Sequence, residues 1–183
     1  MNFKIIYNSR TGNTQMLEET ITSVLNDQKR ENDTLEITNV QEQKNPLTEI
    51  SGQSIYFIGF WTDKGGCGEI IANILKQLEN CRVFLFGTAG FGQSQAYFDK
   101  ILGNCASYLP DSSTLIGTYM CQGKMPVSVR SRYETMLEKA PGDPSILKLI
   151  DNFDSALEHP NTQDQNRLAN AVRNALMAQK DIF

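Results

Sequence analysis

The sequence is poor in the residues from which metal centres and acid–base sites are built. It has one histidine, His159, and four cysteines, Cys67, Cys81, Cys105 and Cys121, with no Cys-x-x-Cys spacing among them. Such a set offers no zinc or iron–sulfur ligand pattern, and the cysteines read as reduced, structural thiols. No Ser–His or paired-carboxylate constellation stands out for nucleophilic or general acid–base work. No apolar run approaches the roughly 18 residues that span a bilayer, and Met1-Asn2-Phe3-Lys4 leads into a strand pattern rather than a signal peptide. The expectation is a cytoplasmic protein with no membrane partner. The formal net charge of −4 argues against nucleic acid and allows docking on a basic protein.

Two well-known phosphate loops are also missing. There is no Gly-x-x-x-x-Gly-Lys-Ser/Thr, and the Gly-x-Gly-x-x-Gly dinucleotide fingerprint is absent after the first strand. What stands there instead is Phe3-Lys4-Ile5-Ile6-Tyr7, a buried-strand pattern, followed by Asn8-Ser9-Arg10-Thr11-Gly12-Asn13-Thr14 and then a helical pattern from Gln15. The first N–H groups of a helix lack carbonyl partners and carry partial positive charge, so an anion is favoured at this junction. Ser9, Thr11 and Thr14 add hydroxyls, Asn13 an amide, Arg10 an optional cation, and Gly12 leaves the backbone unobstructed. A hydroxyl-rich cradle suits one terminal monophosphate better than a pyrophosphate.

The string Ser9-x-Thr11-Gly12-Asn13-Thr14 resembles the flavin mononucleotide (FMN) phosphate loop of the flavodoxin family, and it occurs directly after the first strand, as it does there. The resemblance implies an FMN-binding protein. The rest of the chain is consistent with that fold. Helix 1 is expected over about Asn13 to Leu25, with Leu17, Ile21, Val24 and Leu25 as its apolar stripe. Leu35 and Ile37 alternate with polar neighbours as in an edge strand, and Gln41 to Pro46 reads as a surface loop. Ser54 to Phe60 and Arg82 to Gly87 are continuous apolar runs, the mark of strands buried on both faces, and Ser113 to Tyr119 supplies a fifth strand.

Between these runs lie helical stripes, Ile70, Ile71, Ile74, Leu75 and Leu78, then Phe98, Ile101, Leu102 and Cys105. This alternation predicts an α/β fold: a flavodoxin-like, doubly wound, five-stranded parallel sheet in the order 2-1-3-4-5, within one domain over residues 1–183. A ligand then lies at the carboxyl edge, between strands 1 and 3. More chain follows strand 5 than one closing helix requires. Tyr133, Met136, Leu137 and Ala140 form one apolar face and Ile146, Ile150, Phe153 and Leu157 another, so extra helices are expected over about 127–157. Thr162-Gln163-Asp164-Gln165 fits a capping box for a last helix, with His159 as a turn residue ahead of it.

Two further loops fall on the carboxyl edge. The first is Phe60-Trp61-Thr62-Asp63-Lys64-Gly65-Gly66-Cys67, in which Phe60 or Trp61 could stack on a flat ring. The Trp61 to Asp63 stretch resembles the aromatic flavin loop of flavodoxins, with Thr and Trp in the opposite order. By that resemblance, Asp63 to Gly65 would be where a peptide turns over as the flavin is half-reduced. Lys64 is a departure from the family: its charge near the ring would favour an anionic reduced flavin, and otherwise it reads as a lysine pointing into water. The second loop is Thr88-Ala89-Gly90-Phe91-Gly92, which lacks the tyrosine and acid usual in the family. Cys121-Gln122-Gly123-Lys124 could rim the site.

The resemblance implies an electron-transfer protein with noncovalent FMN, exchanging electrons with redox partner proteins, a reductase and an electron acceptor. The Gly59 to Gly65 segment looks most like small bacterial members of the family, and that resemblance implies service as electron supplier to a dedicated reductase, such as one acting on bile pigments. An FMN-dependent NAD(P)H or quinone-type reductase and a non-redox binding module are the alternatives on the same fold.

Overall fold

The computed structural model describes residues 1–41, 50–92 and 94–180, so the expected surface loop lies, beyond Gln41, outside the described residues. The strands are β1 (Asn2–Tyr7), β2 (Thr34–Asn39), β3 (Ser54–Trp61), β4 (Arg82–Ala89) and β5 (Thr114–Gln122). They form a parallel sheet in the order β2-β1-β3-β4-β5. The helices are α1 (Asn13–Gln28), α2 (Gly68–Leu75), α3 (Gln95–Ala106), α4 (Val127–Lys139), α5 (Pro144–Ala156) and α6 (Thr162–Lys180). This is the flavodoxin-like doubly wound sheet read from the alternating pattern, with α4 and α5 as its added helices.

Each face of the sheet carries its own core. On one side Leu17, Ile21, Val24 and Leu25 of α1 and Leu168, Val172 and Leu176 of α6 cover Phe3, Ile5, Phe57 and Phe84. On the other, α2 and α3 cover Ile6, Tyr56, Ile58, Val83 and Leu85. Fully burying each such side chain is worth about 1.5–3 kcal/mol relative to exposure, and helices on both faces are why β3 and β4 read as unbroken apolar runs.

Strands β3, β4 and β5 outrun their expected ends. The ladder continues through Phe60↔Gly87, Trp61↔Thr88, Thr88↔Cys121 and Ala89↔Gln122, so these residues end strands instead of opening loops. Phe60 is 0% exposed for a steric reason. Its ring lies over Gly87, where an added Cβ would come within 2.9 Å of Phe60 Cε2, and Phe86 fills the equivalent hole over Gly59. Phe60 is thus a core residue, and of the two candidate stackers only Trp61 reaches solvent.

Three apolar side chains expected inside stand outside. Ile70 is exposed because α2 is short and turns Ile71, Ile74 and Leu75 inward, while Met136 and Leu157 stay exposed on α4 and α5. Tyr133 is the buried side chain of α4, and Ile146, Phe153 and Ala156 seat α5. Arg130 joins the two helices by pairing with Glu134 and Asp154.

The capping box of α6 sits one residue earlier than expected. Asn161 Oδ1 accepts from the Gln163 and Asp164 N–H groups at 2.9 and 3.1 Å, and Asp164 Oδ2 accepts from Asn161 N–H at 3.0 Å. Asp164 also pairs with His159 Nδ1. No described helix is long and apolar enough to cross a membrane.

Candidate functional site

The loop between β1 and α1 begins where Asn8 extends the ladder, its N–H donating to Gly59 O at 3.0 Å. Gly12 is the N-cap of α1, at φ 83°, and makes no side-chain cap. Ser9 compensates one position: its Oγ accepts from Gln15 N–H at 3.2 Å, which leaves its own proton free to donate. The helix N–H groups ahead of Gln15 have no such cap and face the loop. Asn13 Nδ2 donates to Thr11 Oγ1 at 2.9 Å and to Lys124 O at 2.8 Å, tying the loop to the end of β5.

Thr14 is held against the sheet. Its side chain is 1% exposed and its hydroxyl lies 3.3 Å from Thr88 Oγ1, so it couples α1 to β4 and does not line the cleft. Arg10 and Thr11 are the exposed polar side chains of the loop. Arg10 places its guanidinium 5.7 Å from the centre of the Trp61 ring.

The loop after β3 is a two-residue turn. Asp63 and Gly66 exchange both backbone hydrogen bonds at 2.9 Å, and Lys64 and Gly65 carry φ of 48° and 80°. Positive φ at both central residues defines a type I′ turn, which suits glycine at the second position and strains lysine at the first. Asn104 Nδ2 of α3 donates to Gly65 O at 3.1 Å, and Thr62 donates from N and Oγ1 to Thr88 O at 2.8 and 2.9 Å. The loops after β3 and β4 are thereby one unit.

The loop after β4 is held from behind. Gln122 Nε2 and Asn152 Nδ2 both donate to Gly90 O, at 3.1 and 3.0 Å, and Gln122 Nε2 also donates to Asn152 Oδ1 at 3.1 Å. Both side chains are buried. Sequence reasoning missed Asn152, because its neighbours in α5 give only a helix pattern; the buried amides of Gln122 and Asn152 are intelligible once β5 and α5 are brought together.

A cleft of about 610 Å³ opens between these loops. Of the residues singled out in the sequence, Arg10, Thr11, Asn13, Trp61, Thr62 and Asp63 line it, joined by Lys64, Gly65, Thr88, Ala89, Gly90 and Phe91. Ser9, Gly12, Thr14 and Phe60 stand behind that lining. The sequence marks Arg132 as a possible partner-surface charge and Tyr133 as part of an apolar face, not as cleft residues; they close the cleft at the α4 end with Met125, Ser128 and Val129, and Tyr97 of α3 joins them. Gly123 and Lys124 do rim it, whereas Cys121 is buried in the core and its burial raises the thiol pKa, which leaves it protonated and unreactive.

The donor set suits a phosphomonoester: uncapped helix N–H groups, small hydroxyls and a nearby arginine, without the lysine that holds a triphosphate. Fold and site together define an open α/β protein with a hydroxyl-rich loop and a helix start at the topological switch point. The chain belongs to the flavodoxin domain family, whose pattern it matches over residues 4–173. It is 39% identical over 174 residues to the flavodoxin-like domain-containing protein BilS of Clostridium symbiosum (strain WAL-14163), covering 90% of each chain. To the protein of the same name in Clostridioides difficile (strain CD3) it is 28% identical, covering 87% of this chain and 88% of the other.

Solved structures share the fold at low identity. Rubredoxin oxygen:oxidoreductase of Desulfovibrio gigas superposes with a TM-score of 0.56 at 14% identity, covering 98% of this chain and 36% of that one. The flavodoxin of Streptococcus pneumonia TIGR4 gives 0.52 at 11%, covering 97% and 99%. An FMN-dependent NADH-azoreductase of Bacillus anthracis, solved with FMN, gives 0.50 at 10%, covering 94% and 98%.

Proposed function

We propose that this protein binds FMN noncovalently in the cleft and works as an electron carrier between redox proteins in the cytoplasm, a reductase on one side and an acceptor on the other. One observation carries the reading: the uncapped start of α1, with Ser9 and Thr11 beside it, opens into the same cleft as Trp61. The helix N–H groups and the Ser9 and Thr11 hydroxyls would hold the phosphate. Trp61 would cover one face of the ring, and the backbone from Thr88 to Phe91 would meet its polar edge. The bound flavin supplies the redox chemistry; the protein supplies binding and tuning.

The carrier reading is favoured because, among the described residues, Asp63 is the one carboxylate lining the cleft and no histidine or cysteine lines it. The BilS relatives, which match the chain over about nine-tenths of its length, are named only as flavodoxin-like domain proteins, in keeping with a small flavin-binding unit. A second reading, an FMN-dependent NAD(P)H or quinone-type reductase, draws on the α4 end of the cleft, where a second planar molecule could enter, and on the azoreductase that shares the fold.

The test is a titration of the flavin-free protein with FMN, following flavin and Trp61 fluorescence together. Both should be quenched at one-to-one stoichiometry. A protein that leaves both signals unchanged in excess FMN overturns the reading. Rapid NAD(P)H oxidation by the loaded protein would favour the reductase, and negligible oxidation the carrier.

A further inference from the structure

The cleft mouth has the opposite charge to the rest of the molecule. Arg10, Lys64, Lys124 and Arg132 line it and are exposed, against the single carboxylate of Asp63. These five side chains amount to +3 in a chain of net charge −4, so the remainder carries −7. Among the described residues none of the four cations is in an ion pair, whereas their neighbour Arg130 on α4 is paired twice. A bound phosphomonoester of about −1.5 to −2 would leave the mouth at about +1 to +1.5 with a neutral ring and about neutral with an anionic reduced one, still in contrast to the −7 of the remainder.

We infer that the mouth is a docking face for an acidic protein surface that exchanges electrons with the bound cofactor. The inference rests on the flavin reading and names the charge of its partner. The cations come from three separate loops and from α4, so every element that lines the basic side of the cleft contributes one. Among them stand exposed apolar groups, Phe91 at 41% and Val127 at 76% exposure, Val127 lying between the lining residues Pro126 and Ser128. Apolar contacts inside a charged rim are the anatomy of a transient interface, and exposed charge around such a patch steers a partner of opposite sign. The overall charge of −4 would by itself select a basic partner; the local field selects an acidic one.

The test uses the FMN-loaded protein, reduced with dithionite freed of excess reagent, and two forms of one acceptor: native cytochrome c, which is basic, and cytochrome c succinylated on its lysines, which is acidic. Each ferric haem takes one electron, so a two-electron-reduced flavin reduces two. At low ionic strength the acidic form should be reduced at least tenfold faster than in 0.5 M salt, in line with the roughly 10–10³-fold range of electrostatic steering. It should also outpace the native form. Arg132→Gln should lower the low-salt rate several-fold and flatten the salt dependence.

Faster reduction of native cytochrome c, or rates indifferent to salt, overturns the inference while leaving the flavin reading intact. So does a preference for ferricyanide with none for the succinylated protein, which would assign the cations to a small anion. A protein that holds no FMN reduces neither cytochrome and overturns the flavin reading, and this one with it.

Discussion

Asn152 of α5 donates from Nδ2 to the carbonyl oxygen of Gly90, 3.0 Å away and 62 positions earlier in the chain. This contact makes the added helices part of the cleft, because Gly90 belongs to the loop that lines it. Asn152→Ala leaves Gln122 Nε2 without its Asn152 Oδ1 acceptor and removes one of the donors to Gly90 O. Loss of a buried partner costs about 1–3 kcal/mol, so FMN affinity should fall on the order of tenfold, with a shift in the flavin absorption bands. Fluorescence titration checks the first and a visible spectrum the second.

The Thr14 and Thr88 hydroxyls give a prediction by pairs. Thr14→Val strands the Thr88 hydroxyl in a buried setting and should cost about 1–3 kcal/mol in urea unfolding of the flavin-free protein. Adding Thr88→Val removes the stranded group and should recover most of that loss. If the two single changes simply add, the hydroxyls are not coupled.

At the turn after β3, Lys64 holds φ of 48°. A left-handed conformation costs a non-glycine residue about 1–2 kcal/mol, and β-branching adds to it. Lys64→Asn should therefore be neutral or slightly stabilising and Lys64→Val destabilising by more than about 1 kcal/mol, as measured by chemical denaturation. Equal stabilities would show that the turn relaxes around its side chain.

Glu18 is buried on α1, and that burial raises its pKa, opposed by a hydrogen bond from the Thr22 hydroxyl. The folded state then holds the proton to higher pH than the unfolded state does. Its contribution is fully present below the unfolded value of about 4.3 and is lost as pH rises through the folded value. Glu18→Gln keeps the acceptor for Thr22 and should raise the urea midpoint at pH 7. The advantage over the parent protein should shrink as the pH is lowered to 4.

Sheet order and cleft position were legible in the sequence because they rest on local signals: apolar runs for strands buried on both faces, and a polar string between β1 and α1. What escaped depends on distant pairing. Phe60 looked like a stacking candidate because nothing nearby in sequence announces that Gly87 makes room for its ring. The contact of Thr14 with Thr88 was not foreseen because Thr88 is a β4 residue, 74 positions on. Arg132 and Tyr133 carry no motif, and only the return of α4 over the sheet edge brings them to the cleft. The capping box shifted by one residue since Asn161 and Asp164 satisfy the same spacing as Thr162 and Gln165 with a stronger reciprocal pair.

The Asn13 amide reaches Lys124 O across 111 positions, and that distance sets an order of events during synthesis. A nascent chain on the ribosome has its first loop early, yet the wall that completes the pocket is not made until residue 124 and the helix beyond it have emerged. A flavin held in this cleft would therefore be acquired only after β5 and α4 are made, and a truncated product ending before β5 should emerge colourless however much free flavin surrounds it.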